Sequence, residues 1–331
     1  MGWSLGTNDA ANAFGTAVAT GVVKYRTAVT VISIMVITGA ILQGEGNIDK
    51  LSTLAVNNEV IASASDISNA VKNGTADYLR YKSAVNASII FSCAGLSVFI
   101  MSFFRLPVSA NQSVIGAIIG WGIFHDSTTT FSTNLPHIAE FFITWLINPL
   151  TAAIIAYILV TVSTIFFKTA SDKLIKAGYL TAGALASYSI GVNSSASVTA
   201  LYFDPFYSQT GVAANILTDA KLTAIIGGIA ISLGVLTFSK RVMMTVGNDI
   251  AHLTQTDGFI VVIATAVTIL ITEKIIGIPV STSQTVVGAV IGAGLVSGIK
   301  NVNLGVLKNI AFAWICSPAL SGLLAYLVAA F

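Results

Sequence analysis

Asn8, Asp9 and Asn12 place one carboxylate and two amide side chains within about a single helical turn, inside an apolar stretch near the start of the chain. An aspartate in lipid costs about 2.5–3.5 kcal/mol on insertion scales, so it is kept there for a cation, a proton or another partner. Hard oxygen ligands of this kind suit Na⁺, and protonation of Asp9 is the other way to discharge the site. Gly6 is placed to open the backbone so that carbonyls join the ligand set. An aspartate in this position also suits the cap of a helix that begins at the membrane surface, and that alternative stays open. A weaker copy of the stretch runs from Ser189 to Ser197; within it Asn193 and Ser194 are assigned to the same cation, and Asn193 to the anion as well.

The second constellation is a pair of Pro-Val-Ser segments. Proline suits the first turn of a helix, where the missing N–H is no loss, and the other free N–H groups of that turn point outward with the positive end of the dipole. Such a terminus binds anions. Ser109, Asn111, Gln112 and Ser113 supply hydroxyls and amides around the first, and Ser281, Thr282, Ser283, Gln284 and Thr285 around the second. Two half-helices facing each other with these donors would surround a small oxyanion without any fixed positive charge. The same segments carry Gly116-xxx-Gly120 and Gly288-xxx-Gly292, small-residue faces that serve tight helix packing.

The elements that must hold these residues are set by composition. The 331 residues are 55% hydrophobic and only 9% charged, against about 25% charged in a soluble domain, which excludes a water-soluble globule. About ten runs reach or approach the roughly 20 apolar residues a helix needs to cross lipid: 3–23, 27–42, 84–104, 107–124, 137–167, 179–203, 222–238, 259–278, 279–296 and 304–331. The fifth is too long for one crossing and is punctuated by Asn148-Pro149, which predicts a kink or a short helix followed by a full one. Residues 44–83 read as an exposed loop with one or two surface helices. The expected fold is thus an all-α polytopic membrane protein, in contact with lipid throughout.

Alternating crossings put ten basic residues (Lys24, Arg26, Arg105, Lys168, Lys173, Lys176, Lys240, Arg241, Lys300 and Lys308) on one side and only Lys221 and Lys274 in the short loops of the other. The first side is therefore expected in the cytoplasm, with both termini outside. A net charge of +2 offers no field for nucleic acid, and no phosphate-cradling Gly-x-x-x-x-Gly-Lys-Ser/Thr occurs. Cys93 and Cys316 lie apart in apolar runs, and His125, His137 and His252 do not cluster. No nucleophile and base pair appears in the spans, so an enzyme is not expected. Asp249 and Asp257 read as surface charges in a cytoplasmic loop.

The chain repeats itself. Residues 107–122 align on 279–294 without gaps, with ten of sixteen positions identical, and Trp145, Pro149, Ala156 and Tyr157 match Trp314, Pro318, Ala325 and Tyr326 at a constant offset of 169. Together with the Ser4 and Ser189 blocks this gives two copies, residues 1–167 and 179–331, joined by a basic linker over 168–178. With an odd number of crossings per copy the second enters the membrane upside down. Inverted repeats with broken helices meeting near the midplane are a secondary-transporter architecture.

The run Gly6-Thr-Asn-Asp-Ala-Ala-Asn-Ala-Phe-Gly-Thr16, followed by Pro-Val-Ser-x-x-Gln in both halves, resembles the PiT family of inorganic phosphate transporters, over almost the whole chain and including residues 241–258. The resemblance implies Asn8, Asp9 and Asn12 in cation and phosphate binding, and Ser109, Gln112, Ser281, Thr282 and Gln284 on phosphate. It further implies cation-coupled import across the plasma membrane, an elevator-like or rocking movement and a homodimer; no cofactor is expected beyond the coupling ion, Na⁺ first and H⁺ second. This chain departs from the family where Ser194 and Ser197 replace the second motif's polar pair and later Asn, and where Val36 and Val262 stand at positions often acidic. Sulfate-carrying relatives also lose acids here, so sulfate or another oxyanion is the alternative substrate, although the intact Asn8-Asp9 favours phosphate. A passive anion channel is the alternative from another functional class.

Overall fold

The computed structural model describes residues 1–44, 69–125, 129–166, 172–199, 220–276 and 281–331. Among them the chain is helical, with no strand beyond one isolated antiparallel bridge, Ala251 to Val302. The helices are α1 (Gly2–Ala19), α2 (Tyr25–Gln43), α3 (Ala76–Phe103), α4 (Ala110–His125), α5 (Thr129–Phe166), α6 (Asp172–Thr199), α7 (Ala220–Phe238), α8 (Lys240–Met244), α9 (Gln255–Ile276), α10 (Thr282–Val296) and α11 (Leu304–Ala329). A π-turn at Thr245–Asp249 follows α8. Among the described residues five stretches are long and apolar enough to span a bilayer: Tyr25–Gln43, Tyr81–Phe103, Ile143–Ser163, Lys221–Phe238 and Leu304–Ala329. Gln255–Ile269 and Thr282–Val296 are shorter apolar helices.

Local chemistry sets several of the ends. Asn303 caps α11 by accepting from the N–H groups of Gly305 and Val306 at 3.1 and 3.2 Å. Thr254 and Asp257 form a reciprocal capping box on α9, each side chain accepting from the other's backbone N–H at 3.2 Å. Asp257 is thus a structural part of a helix start, not a loop charge. Between α3 and α4 the chain turns through Arg105, the one non-glycine residue with a left-handed φ (64°) among those described. Leu106 N–H closes back on Met101 O at 2.9 Å.

Several expectations are corrected. α1 is unbroken through Gly6, because that glycine is used for packing: a Cβ there would strike the Ile231 carbonyl of α7. α6 likewise runs straight through Gly191, so the broken elements are the short α4 and α10 and not the motif helices. Pro107 stands two residues before the capping Ser109 and so ahead of the first turn of α4; Pro279 and Val280 lie outside the described residues. α5 runs as one helix through Asn148-Pro149, so of the two arrangements expected there the separate short helix is not formed. Residues 167–171 lie outside the described residues and α6 begins at Asp172, within the segment expected to join the repeats; the loop expected over 44–83 also falls largely outside the described residues, with α3 beginning at Ala76. Met1 lies against Gly95, well inside α3, so the first turn of α1 is level with the interior of that span.

The helices pack across the two halves in matched pairs. Gly116 and Gly120 of α4 press on the Pro318 and Gly322 carbonyls of α11; Gly288 and Gly292 of α10 press on the Pro149 and Ala153 carbonyls of α5. In the same way Gly6 of α1 meets Ile231 of α7 and Gly191 of α6 meets Val36 of α2, while Gly234 of α7 meets Trp3 and Gly39 of α2 meets Tyr188. Each contact has a counterpart with the halves exchanged. Backbones approach this closely only where no Cβ intervenes.

Candidate functional site

Asp9 sits in the middle of α1 and not at its cap: the helix starts at Gly2, and every residue from Ser4 to Ala17 is buried. Its Oδ1 accepts from Asn12 Nδ2 and Ser283 Oγ, both at 3.3 Å, and its Oδ2 accepts from Ser194 Oγ at 3.3 Å. α1, α6 and the start of α10 are therefore joined at one carboxylate. Three donors stabilise the charged form of a group that burial would otherwise penalise.

The first turns of α4 and α10 arrive at the same place. Ser109 and Ser281 are equivalent N-caps, their hydroxyls accepting from Gln112 N–H at 3.4 Å and Gln284 N–H at 3.3 Å. Ser109, Ala110 and Asn111 from one half-helix and Ser281, Thr282 and Ser283 from the other line one cavity with Asp9, Asn193 and Ser194. It is a narrow cleft with room for little more than a single water molecule. Every lining residue but Ala110 is polar, and Asp9 is the only one that ionises. Two helix N-termini, which favour anions, thus lie beside a carboxylate, which favours cations, and among the described residues no basic side chain lines the space.

Other expected residues stand behind the wall. Asn12 shares its Nδ2 between Thr282 Oγ1 (3.0 Å), Ser283 Oγ (3.1 Å) and Asp9, and its buried Oδ1 has no partner. Gln112 and Gln284 are buried with their Oε1 atoms unpartnered, a matched pair at the third position of each half-helix. Asn8 is not a cavity residue: its Nδ2 donates to Ser102 Oγ at 2.9 Å and Leu106 O at 3.1 Å, and its Oδ1 accepts from Val108 N–H at 3.0 Å. Its role is to fix the turn that delivers α4. Ser113 points instead at Ser317 Oγ on α11, 2.5 Å away.

That last contact belongs to a set not foreseen from the sequence. Ser97 Oγ donates to Ser317 O at 2.8 Å, so Ser97, Ser317 and Ser113 tie α3, α11 and α4 together. In the other half Thr272 Oγ1 donates to Asn148 Oδ1 at 3.2 Å, and Asn148 Nδ2 donates to Thr285 Oγ1 at 2.5 Å and to Ser281 O at 3.4 Å, tying α9, α5 and α10. Asn148 and Ser317 each precede a proline of the repeated Trp-Pro block. A buried amide inside an apolar run was the available signal.

The sequence profile of the "Phosphate transporter family" matches residues 5–180 and 167–325. The "Putative phosphate permease" of Pyrococcus abyssi is 25% identical over 99% of this chain and 94% of its own length. That of Methanocaldococcus jannaschii is 27% identical over 98% and 92%. The "Sulfate permease CysP" of Bacillus subtilis is also 27% identical, over 98% of this chain and 83% of its own. Among solved structures, one titled "The sodium-dependent phosphate transporter" superposes with a TM-score of 0.72 at 22% identity, covering 99% of this chain and 95% of that one, which shows a common fold. A profile matching nearly the whole chain, on a helical framework shared with a solved transporter, makes this protein a member of the phosphate transporter family, an integral membrane transport protein and not an enzyme.

Proposed function

We propose that this transporter imports inorganic phosphate across the plasma membrane in symport with a cation, Na⁺ in first place and H⁺ in second. One observation carries the reading: the anion-favouring N-termini of α4 and α10 and the cation-favouring carboxylate of Asp9 converge on one cavity, lined by no basic side chain among the described residues. Phosphate bears one to two negative charges near neutral pH, and beside Asp9 that charge is uncompensated. A cation must enter with it, so each ion improves the binding of the other, which is the thermodynamic content of coupling. Asp9, Asn12, Asn193 and Ser194 form the cation side; Ser109, Asn111, Ser281, Thr282 and Ser283 form the anion side, with Gln112 and Gln284 behind them.

The matched glycine contacts support two inverted repeats, residues 1–167 and 179–331, whose motif helices exchange partners. The assembly is a homodimer with the Lys- and Arg-rich turns in the cytoplasm and both termini outside. Cysteine labelling from either side of the membrane, at Lys300 and Phe331, tests the orientation.

Radiolabelled phosphate uptake into proteoliposomes, with and without an inward Na⁺ gradient, tests the function. Saturable accumulation driven by the gradient is expected, together with its loss in Asp9→Asn. Uptake that ignores every cation gradient, or that never exceeds equilibrium as in a channel, would refute symport. Sulfate is the second reading, favoured by the similarity to the Bacillus subtilis sulfate permease; equal competition by sulfate for phosphate uptake would establish it.

A further inference from the structure

We propose that the transported ions leave the cavity along α1, in the seam between α6 and α9, and that Tyr179 is the side chain that shuts this route. The inference rests on the transport reading above and adds the way out of its cavity. Thr16 and Thr20 stand seven and eleven positions after Asp9, so on a helix both fall within about 20° of the line through Asp9. Thr20 lies about 17 Å further along the axis and is half-buried, and the next residue, Gly21, is exposed. A polar stripe thus leads from the cavity to the exposed end of α1.

The stripe is closed at Thr16. Tyr179 of α6 is fully buried there, its ring 5.7 Å from that of Phe259 on α9. A Cβ on Gly258 would collide with the Tyr179 hydroxyl and lie 3.2 Å from Thr16 Cβ, so the phenol spans the seam from α6 to the first turn of α9, against α1. No hydrogen bond holds it in place. The Thr16 and Thr20 hydroxyls lie beside it but donate to Gly258 O at 3.1 Å and Thr16 O at 2.7 Å, and the phenolic hydroxyl itself is unpartnered. A buried donor without a partner is costly, and phenylalanine would fill the same space without that cost. The hydroxyl is accounted for when the ring swings aside and water or an ion enters the seam, because the phenol then gains the partner it lacks when shut.

The test is the rate at which a membrane-impermeant thiol reagent modifies Thr16→Cys in the full-length protein in lipid vesicles, with Cys93→Ala and Cys316→Ala. The reagent is added on the side from which Lys300→Cys reacts. That side is the mouth of the seam, since Asn303 N–H donates to Ile250 O at 2.8 Å and keeps residues 299–303 beside the start of α9. The open state of such an equilibrium holds at most about a tenth of the population, so Tyr179→Ala is expected to speed modification at least about 10-fold. Tyr179→Leu should fall between, and Tyr179→Phe should react no faster than the native side chain. Tyr179→Phe is also expected to take up radiolabelled phosphate more slowly at an unchanged half-saturation, because it removes the gain on opening. Modification as slow in Tyr179→Ala as with tyrosine, modification as fast in Tyr179→Phe as in Tyr179→Ala, or native uptake by Tyr179→Phe overturns the proposal. Should Tyr179→Ala not fold, Tyr179→Leu decides in its place. A native protein that takes up no phosphate, with the modification pattern as expected, would instead refute the transport reading and leave the closure at Tyr179 standing.

Discussion

Asn148 shows how a residue outside the cavity governs it. Its amide holds Ser281 and Thr285 on one side and receives Thr272 on the other, so it fixes the first turn of α10 from behind. Asn148→Ala leaves those buried groups short of partners, at a cost of about 1–3 kcal/mol. We expect a lower melting temperature in detergent and a raised half-saturation for phosphate with a smaller change in maximal rate. Asn148→Ser, which copies the arrangement at Ser317, should recover part of both, and a variant with unaltered half-saturation would show that α10 is held by other means. The motif residues divide in the same way: Asp9 reaches the cavity, while Asn8 is consumed by Ser102, Leu106 and Val108. Adjacent positions on a helix point about 100° apart, so membership of one motif does not imply one role.

At the scale of elements, the glycine faces of α4 and α10 decide how near the half-helices come to their partners. Gly288→Ala would drive a methyl group into the Pro149 carbonyl, and Gly116→Ala would do the same at Pro318. Overpacking of this kind costs about 1–3 kcal/mol, and a backbone obstacle leaves little room to relax. Both variants are expected to give a reduced yield of monodisperse protein by size-exclusion chromatography. Gly21 is the contrasting case, with φ +76° and nothing within 4 Å of a built Cβ. Gly21→Asn should be tolerated, since asparagine adopts the left-handed region at modest cost; equal damage at Gly21 and Gly288 would show that close approach is not the cause.

For the whole molecule, the matched contacts mean that the tightest packing of each half is made with the other: α4 on α11, α10 on α5, α1 on α7 and α6 on α2. Residues 1–166 and 172–331 produced as separate chains are therefore expected to be unstable alone and to reassemble into a phosphate-binding complex when made together. A monodisperse first half by itself would argue that the exchange of partners is not what stabilises the fold.

The sequence by itself determined that this chain lies in lipid, that two of its stretches repeat, and which polar residues stand out from their apolar surroundings, because apolar length, repetition and misplaced polarity are properties of residue order. It could not say that Gly6 packs where it was expected to open a helix, that Asp9 lies mid-helix, or that Asn8 and Ser113 turn away from the cavity. Those outcomes depend on which helix lies opposite, and helices hundreds of residues apart are brought together only by the folded packing. The tie of Asn12 to Thr282, across 270 positions, is of that kind: each residue was legible alone, and their meeting belongs to the tertiary structure.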